Sequence, residues 1–164
     1  MSVEVRPATT DDVAGVRRVA HAAWEAAYDD LLAAETREQC LSEWYSPVAV
    51  ERAVTDTSVG YFVAVDDDVV GYASGSTAGT EGIGHLSSIY VHPDHWDNGV
   101  GSHLLDAVEQ FLAAEGVREV RIRVLAENDL GIEFYRARGY EREETQTAEL
   151  GGRSYREHVF RGRL

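Results

Sequence analysis

Ile89-Tyr90-Val91-His92-Pro93-Asp94-His95-Trp96-Asp97-Asn98-Gly99-Val100-Gly101-Ser102 reads as a strand, a turn stopped by proline, and a glycine loop opening into a helix. Leu86, Ile89 and Val91 suit a pleated, half-buried surface, and Pro93 ends the ladder because it has no N–H to donate. After Gly101, Leu104, Leu105, Val108, Phe111 and Leu112 recur at the spacing of one helical face. Glycines at 99 and 101 let a ligand approach the backbone closely, and the first N–H groups of a helix have no intrahelical partner. Together these features predict a seat for an anionic phosphate group, and hence a phosphorylated cofactor.

Absent residues narrow the cofactor. The 15 basic residues of the chain are all arginine. A Walker A loop needs a lysine on the nucleotide phosphates and a pyridoxal enzyme needs a Schiff-base lysine, so both are excluded. A dinucleotide fingerprint needs a third glycine where this chain has Leu104, and it belongs in the first βα turn rather than mid-chain. Gly75-Ser76-Thr77-Ala78-Gly79 has threonine where a hydrolase elbow needs serine. His92, Asp94, His95 and Asp97 fall in the turn whose backbone the phosphate motif uses, so no metal site is expected there. The single cysteine, Cys40, excludes an internal disulfide and reads as core packing in a helix.

With 164 residues, 44% of them hydrophobic, the chain is expected to form one domain over residues 1–164. Its formal net charge is −14, unevenly spread: residues 1–117 carry 20 acids against 5 arginines, residues 118–164 carry 9 acids against 10. Such an acidic body argues against nucleic acid and anionic membrane surfaces as partners. Excess acid without lysine predicts adaptation to the salt-rich cytoplasm of an extreme halophile. At ~1 M salt the Debye length is only about 3 Å, which screens the self-repulsion. Neither a signal peptide nor a membrane-length apolar run is legible, so a cytoplasmic location is expected.

The periodicities order the rest. A first strand is predicted over 3–6 and a helix over 9–28, with Thr9 as N-cap, Asp12 three residues on, and Val13, Val16, Val19, Ala20 and Ala23 on its buried stripe. Helices over 35–44 and after Pro47 follow, then a hairpin of 61–65 and 69–74 around Asp66-Asp67-Asp68. Residues 75–84 are read as a glycine-rich loop and 85–92 as the motif strand. The loop helix extends to Glu115, followed by a strand at 118–125, a helix at 129–138 ended by Gly139, and strands at about 140–148 and 154–160. Arg121 and Arg123 share one face of their strand and read as solvated surface, as do Arg136 and Arg138.

Two motifs carry a resemblance. Tyr90-Val91-His92-Pro93 followed by Trp96-Asp97-Asn98-Gly99-Val100-Gly101 resembles the strand end and Arg/Gln-x-x-Gly-x-Gly/Ala loop of the GNAT superfamily of N-acyltransferases. Asn128-Asp129-Leu130-Gly131-Ile132-Glu133-Phe134-Tyr135-Arg136-Ala137-Arg138-Gly139-Tyr140 resembles that family's Asn-x-x-Ala-x-x-Phe-Tyr-x-x-x-Gly-Phe/Tyr. Trp96 and Gly131 depart from the family pattern, and the resemblance is strongest over residues 60–141. It implies an α/β (α+β) fold: a mixed, mostly antiparallel sheet with helices on both faces and a splayed parallel strand pair at the centre.

The resemblance further implies an acetyl-CoA-dependent N-acetyltransferase. By position, the main chain of Ile89 and Val91 would pair with the pantetheine arm, Asp97, Asn98, Gly99, Val100, Gly101 and Ser102 would hold the pyrophosphate, and Tyr90 and Trp96 would also border the cofactor. Asn128, Gly131 and Tyr135 would complete the cofactor site. Attack by a neutral amine would proceed through a tetrahedral intermediate, with Val91 N–H stabilising the oxyanion and Tyr135 protonating the leaving thiolate. His85 stands where many relatives have a glutamate base, and strict alternation would put His85, Ser87, Ile89 and Val91 on one face. Glu81 and Glu25 are fallback bases acting through water. Trp24 and Tyr28, one helical turn apart, are expected with His85 and Ser87 to wall the acceptor site. The expected acceptor is a primary amine of a small molecule or a peptide N-terminus, and a homodimer is the family-based expectation. A coenzyme A-binding sensor without turnover is the other function class.

Overall fold

The computed structural model describes residues 3–77, 79 and 81–164. Strand β1 (Glu4–Pro7) leads into helices α1 (Val13–Tyr28), α2 (Ala34–Trp44) and α3 (Pro47–Thr55). Strands β2 (Val59–Asp66), β3 (Asp68–Ser76) and β4 (Ile83–Val91) follow, then helix α4 (Val100–Ala114). Strand β5 (Glu119–Leu125), helix α5 (Asp129–Ala137) and strands β6 (Glu141–Leu150) and β7 (Arg153–Arg163) complete the order. The seven strands form one sheet in the order β1-β2-β3-β4-β5-β7-β6, and only β4 and β5 pair in parallel.

Local chemistry fixes the turns. Asp67 closes the β2–β3 hairpin at φ 63°, a left-handed conformation that aspartate tolerates better than most side chains. Gly151 and Gly152, both at positive φ, form the two-residue turn of the β6–β7 hairpin, where backbone twist demands that conformation. Gly139 ends α5 at φ 88° as expected.

The start of α1 is held by a capping box. Thr9 caps a short 3-10 turn, and the Asp12 carboxylate accepts the Thr9 N–H at 2.8 Å. Arg6 grips the same carboxylate with two donors, at 2.8 and 3.0 Å, so β1 is tied to the helix entry. The Arg6 hydrogen bond, and then the Thr9 N–H, hold buried Asp12 below the ordinary aspartate value. A depressed native pKa gives a contribution that is complete above the unfolded value and lost as pH falls through the native one. Urea midpoints should therefore fall below about pH 4, and less so in Asp12→Asn; Thr9→Ala should cost about 1 kcal/mol at neutral pH.

Two cores sandwich the sheet. On one face α4 buries Leu104, Leu105, Val108 and Leu112 against Val120, Ile122 and Phe160, with Ile132 and Tyr135 of α5 at its edge. On the other, α1 and α2 bury Val16, Val19, Trp24, Tyr28 and Cys40 against Tyr61 and Tyr72. No helix among the described residues is long and apolar enough to cross a membrane.

The expected glycine-rich loop is shorter than its composition suggests. Gly75 continues β3 and Gly84 belongs to β4, because both lie under α4. A Cβ at Gly75 would come within 2.5 Å of Val108 Cγ1, and one at Gly84 within 3.1 Å of Leu112 Cδ2. These glycines serve close packing rather than a turn. Ala78 and Thr80 of that loop, and with Ala78 part of the rejected hydrolase motif, lie outside the described residues.

The alternation expected along β4 is also corrected. Ser74 lies opposite Ser88 and Gly75 opposite Leu86, so Ser87 is an extra residue in the ladder. This bulge shifts the side-chain parity. Leu86, Ile89 and Val91 pack on the α4 face, whereas Tyr90 joins the α1 face. His85, the neighbour of Leu86, lies on the face opposite Ile89 and Val91.

Candidate active site

The parallel pairing of β4 and β5 runs from Ile83 opposite Glu119 to Leu86 opposite Ile122 and ends there. Beyond that point the strands part around a cleft of about 600 Å³. The direction of the free backbone groups follows from the neighbouring ladder. His92 N–H donates to the Val70 carbonyl at 2.8 Å, so His92 and Val70 form a hydrogen-bonded pair. Antiparallel pairs alternate, so Val91, opposite Gly71, turns its N–H and C=O away from β3 and toward the gap. Ile89, opposite Ala73, does the same.

The gap leads to the N-terminus of α4. Gly99 caps that helix at φ 78°, with nothing within 4 Å of the place a Cβ would occupy. Gly101 lies in the first turn, where a Cβ would fall 3.4 Å from Phe134 Cε1. No side chain caps the helix start, which leaves its amides to the cleft. Asp97 adopts a left-handed φ of 66°. Trp96 folds back so that its indole N–H donates to the Val91 carbonyl at 2.7 Å. Trp96, Asp97, Gly99, Val100, Gly101 and Ser102 all line the cleft, whereas exposed Asn98 does not.

The opposite wall comes from α5. Asn128 caps this helix by accepting the Gly131 N–H at 3.1 Å, and both residues face the cleft. A Cβ on residue 131 would lie 2.8 Å from Asn128 Nδ2, so the cap as it stands packs against a glycine. Tyr135 lines the cleft with its ring edge-on to Phe134, Tyr140 and Phe160. Its hydroxyl makes no hydrogen bond among the described residues, and burial pushes its pKa up, so it is a protonated donor at neutral pH.

On the α1 side, Ala23, Ala27 and Tyr28 line the cleft together with Ser87, Ser88 and Tyr90. The Tyr28 and Tyr90 hydroxyls lie 2.8 Å apart, and burial raises both phenols. Trp24 does not reach the cleft. It is 4% exposed and stands edge-on behind Tyr28, so it backs the wall rather than forming it. His85 also lies off the cleft, in the part of β4 still paired with β5; partial burial, then Arg123 and Arg121, lower its pKa and keep it neutral. Exposed Glu25 and Glu81 do not line the cleft either. Arg121 pairs with Glu119 at 3.0 Å; Arg123, read from sequence as solvated surface, is exposed and also borders the cleft. No group of His, Cys, Asp and Glu suited to a metal occurs among the described residues.

A strand edge whose Ile89 and Val91 groups face a gap, running to a glycine-capped helix N-terminus, can take an extended ligand that hydrogen-bonds to the strand and ends in an anionic group. Residues 17–140 match the model of the Acetyltransferase (GNAT) family. The chain belongs to the GNAT acetyltransferase family. Spermidine N(1)-acetyltransferase of Thermoplasma acidophilum is 23% identical over 155 residues, covering 92% of this chain and 95% of that protein. The crystal structure of the PaiA N-acetyltransferase from Thermoplasma acidophilum in complex with coenzyme A superposes with a TM-score of 0.89, at 21% identity and full coverage of both chains. A GCN5-related N-acetyltransferase from Rhodopseudomonas palustris gives 0.83 at 23% identity, covering 100% and 97%. The mixed sheet with a single parallel pair is thus the GNAT fold.

Proposed function

We propose that this GNAT enzyme transfers an acetyl group from acetyl-CoA to a primary amine of a small molecule or a peptide N-terminus. One observation carries the reading: the free edge of β4, the bare N-terminus of α4 and the unengaged Tyr135 hydroxyl share a single cleft. The residues present fit the cofactor, since Gly99 and Gly101 leave open the space a side chain would take at the helix start. That the spermidine acetyltransferase relative acts on an amine supports the acceptor class.

In this reading the amides of residues 99–102 hold the pyrophosphate, while Ile89 and Val91 hold the arm by main-chain hydrogen bonds. When bound, acetyl-CoA supplies an activated acyl group as a thioester. Val91 N–H stabilises the negative charge that develops on the acyl oxygen. Tyr135 would give its proton to the departing sulfur and recover one, through water, from the nitrogen that becomes the amide. The acceptor ammonium must first lose a proton; neutral His85, on the α1 face of β4, takes it through water. Ser87 and Tyr28 border the acceptor, and Trp24 stiffens that border from behind. The acidic, lysine-free composition supports a protein working in a salt-rich cytoplasm.

Calorimetric titration with acetyl-CoA, at low and molar KCl, followed by acceptor-dependent release of free thiol, tests the reading. One-to-one binding in molar salt and release with an amine are the expected results. Binding without release for any amine would instead identify a coenzyme A sensor, and no binding by folded protein would overturn both.

A further inference from the structure

Resting on the acetyltransferase reading, we propose that Arg123 anchors the acceptor, and that the acceptor is an amine which also carries a carboxylate, as an α-amino acid does. Ile122 and Val124 belong to the core under α4, so Arg123 leaves β5 on the opposite face, toward α1. There its exposed side chain borders the cleft alongside Ala27, Tyr28 and Ser88. Arg121 on the same face is engaged with Glu119 and Glu143. Arg123 has neither an ion pair nor a hydrogen bond among the described residues, although acids outnumber arginines 29 to 15 in the chain.

Electrostatics separates this wall from the rest of the molecule. The acids that line the cleft, Asp97 and Glu133, belong to the loop before α4 and to α5. Among the described residues, the α1 side of the lining offers Arg123 and no carboxylate. A polyamine would meet a cation and no counter-charge there. A carboxylate would meet a planar guanidinium with paired donors, the geometry that arginine recognises best. Holding that carboxylate on β5 leaves the adjacent amine free to point across the gap toward the Val91 N–H.

The test compares α-amino acids with their amides, which differ in the carboxylate alone, and adds spermidine. In Arg123→Gln the ratio of kcat/KM for acid over amide should fall about ten-fold or more, chiefly through KM. Arg123→Lys should restore part of it, and Arg123→Glu should favour spermidine. Calorimetric titration of the coenzyme A-loaded protein with the amino acid reads the same contact without turnover, and Arg123→Gln should abolish that heat. An unchanged ratio would overturn the proposal. So would spermidine as the preferred acceptor of the wild type, or a loss of coenzyme A affinity in Arg123→Gln, which would place the guanidinium on the cofactor. Amino-acid binding lost in Arg123→Gln, with no thiol release from any acceptor, would support the anchor while overturning the acetyltransferase reading.

Discussion

Tyr135→Phe is expected to lower turnover by about a hundred-fold or more, the usual worth of a positioned general acid, while acetyl-CoA affinity changes little. The substitution removes one oxygen and leaves the ring. Its edge-on contacts with Phe134, Tyr140 and Phe160 survive, and the hydroxyl has no partner among the described residues whose loss would loosen the fold. Melting temperature should therefore stay near that of the wild type. Because burial raises the phenol, Tyr135 remains protonated across the neutral range and should impose no acid or alkaline limb of its own there. The activity profile of the wild type should instead fall on the acid side, as His85 and the acceptor amine take up protons. Single-turnover thiol release across pH checks both points. Full activity in the phenylalanine variant would remove Tyr135 from the proton path.

Gly101→Val should weaken acetyl-CoA binding by about a hundred-fold, as expected when one or two charge-assisted hydrogen bonds are lost. A Cβ at this position is tolerable, at 3.4 Å from the Phe134 ring, but branched γ-carbons must either push that ring or cover the helix amides. Gly99→Ala acts differently: it meets no atom within 4 Å, yet forces a left-handed φ on a residue with a side chain. Gly116→Ala is the control, since Gly116 has a comparable φ of 87° and open surroundings but lies at the far end of α4. All three variants should fold, and the control should lose stability without losing affinity. Calorimetry beside thermal unfolding separates the two effects. Equal affinity in Gly101→Val and wild type would move the phosphates elsewhere.

The parts of the site legible in sequence are those in which one residue type has one physical use. Gly99 needs a positive φ, Pro93 must end a ladder and Asn128 is a natural cap, so the loop, the strand end and the α5 start fall where the motifs place them. Gly75 and Gly84 were misleading because glycine serves close packing as readily as a turn, and only α4 overhead decides which. The bulge at Ser87 carried no mark, since a serine beside a serine is neither a turn nor a break. That one residue moved His85 to the other face of the sheet from Ile89 and Val91. Trp24 shared a helical face with Tyr28 as its spacing required, but periodicity cannot tell the first row of a wall from the second. Arg123 is exposed, as the alternation of its strand requires, but alternation alone does not show that the parting of β4 and β5 puts that exposed side chain beside the cleft.

The indole of Trp96 changes the polarity of the strand it touches. An ordinary sheet edge presents hydrogen-bond donors and acceptors in turn, and so welcomes any peptide-like partner. Here the last acceptor, the Val91 carbonyl, is already satisfied at 2.7 Å. What remains wholly free at the tip of the edge is the Val91 N–H, since the carbonyl beside it already holds the indole. An oxygen arriving there meets attraction without the repulsion an adjacent free carbonyl would supply. An amide N–H arriving at the same point finds an acceptor with one of its two lone pairs already engaged. The tryptophan thereby biases the tip of this edge toward an arriving oxygen, while the Ile89 groups behind it keep both polarities.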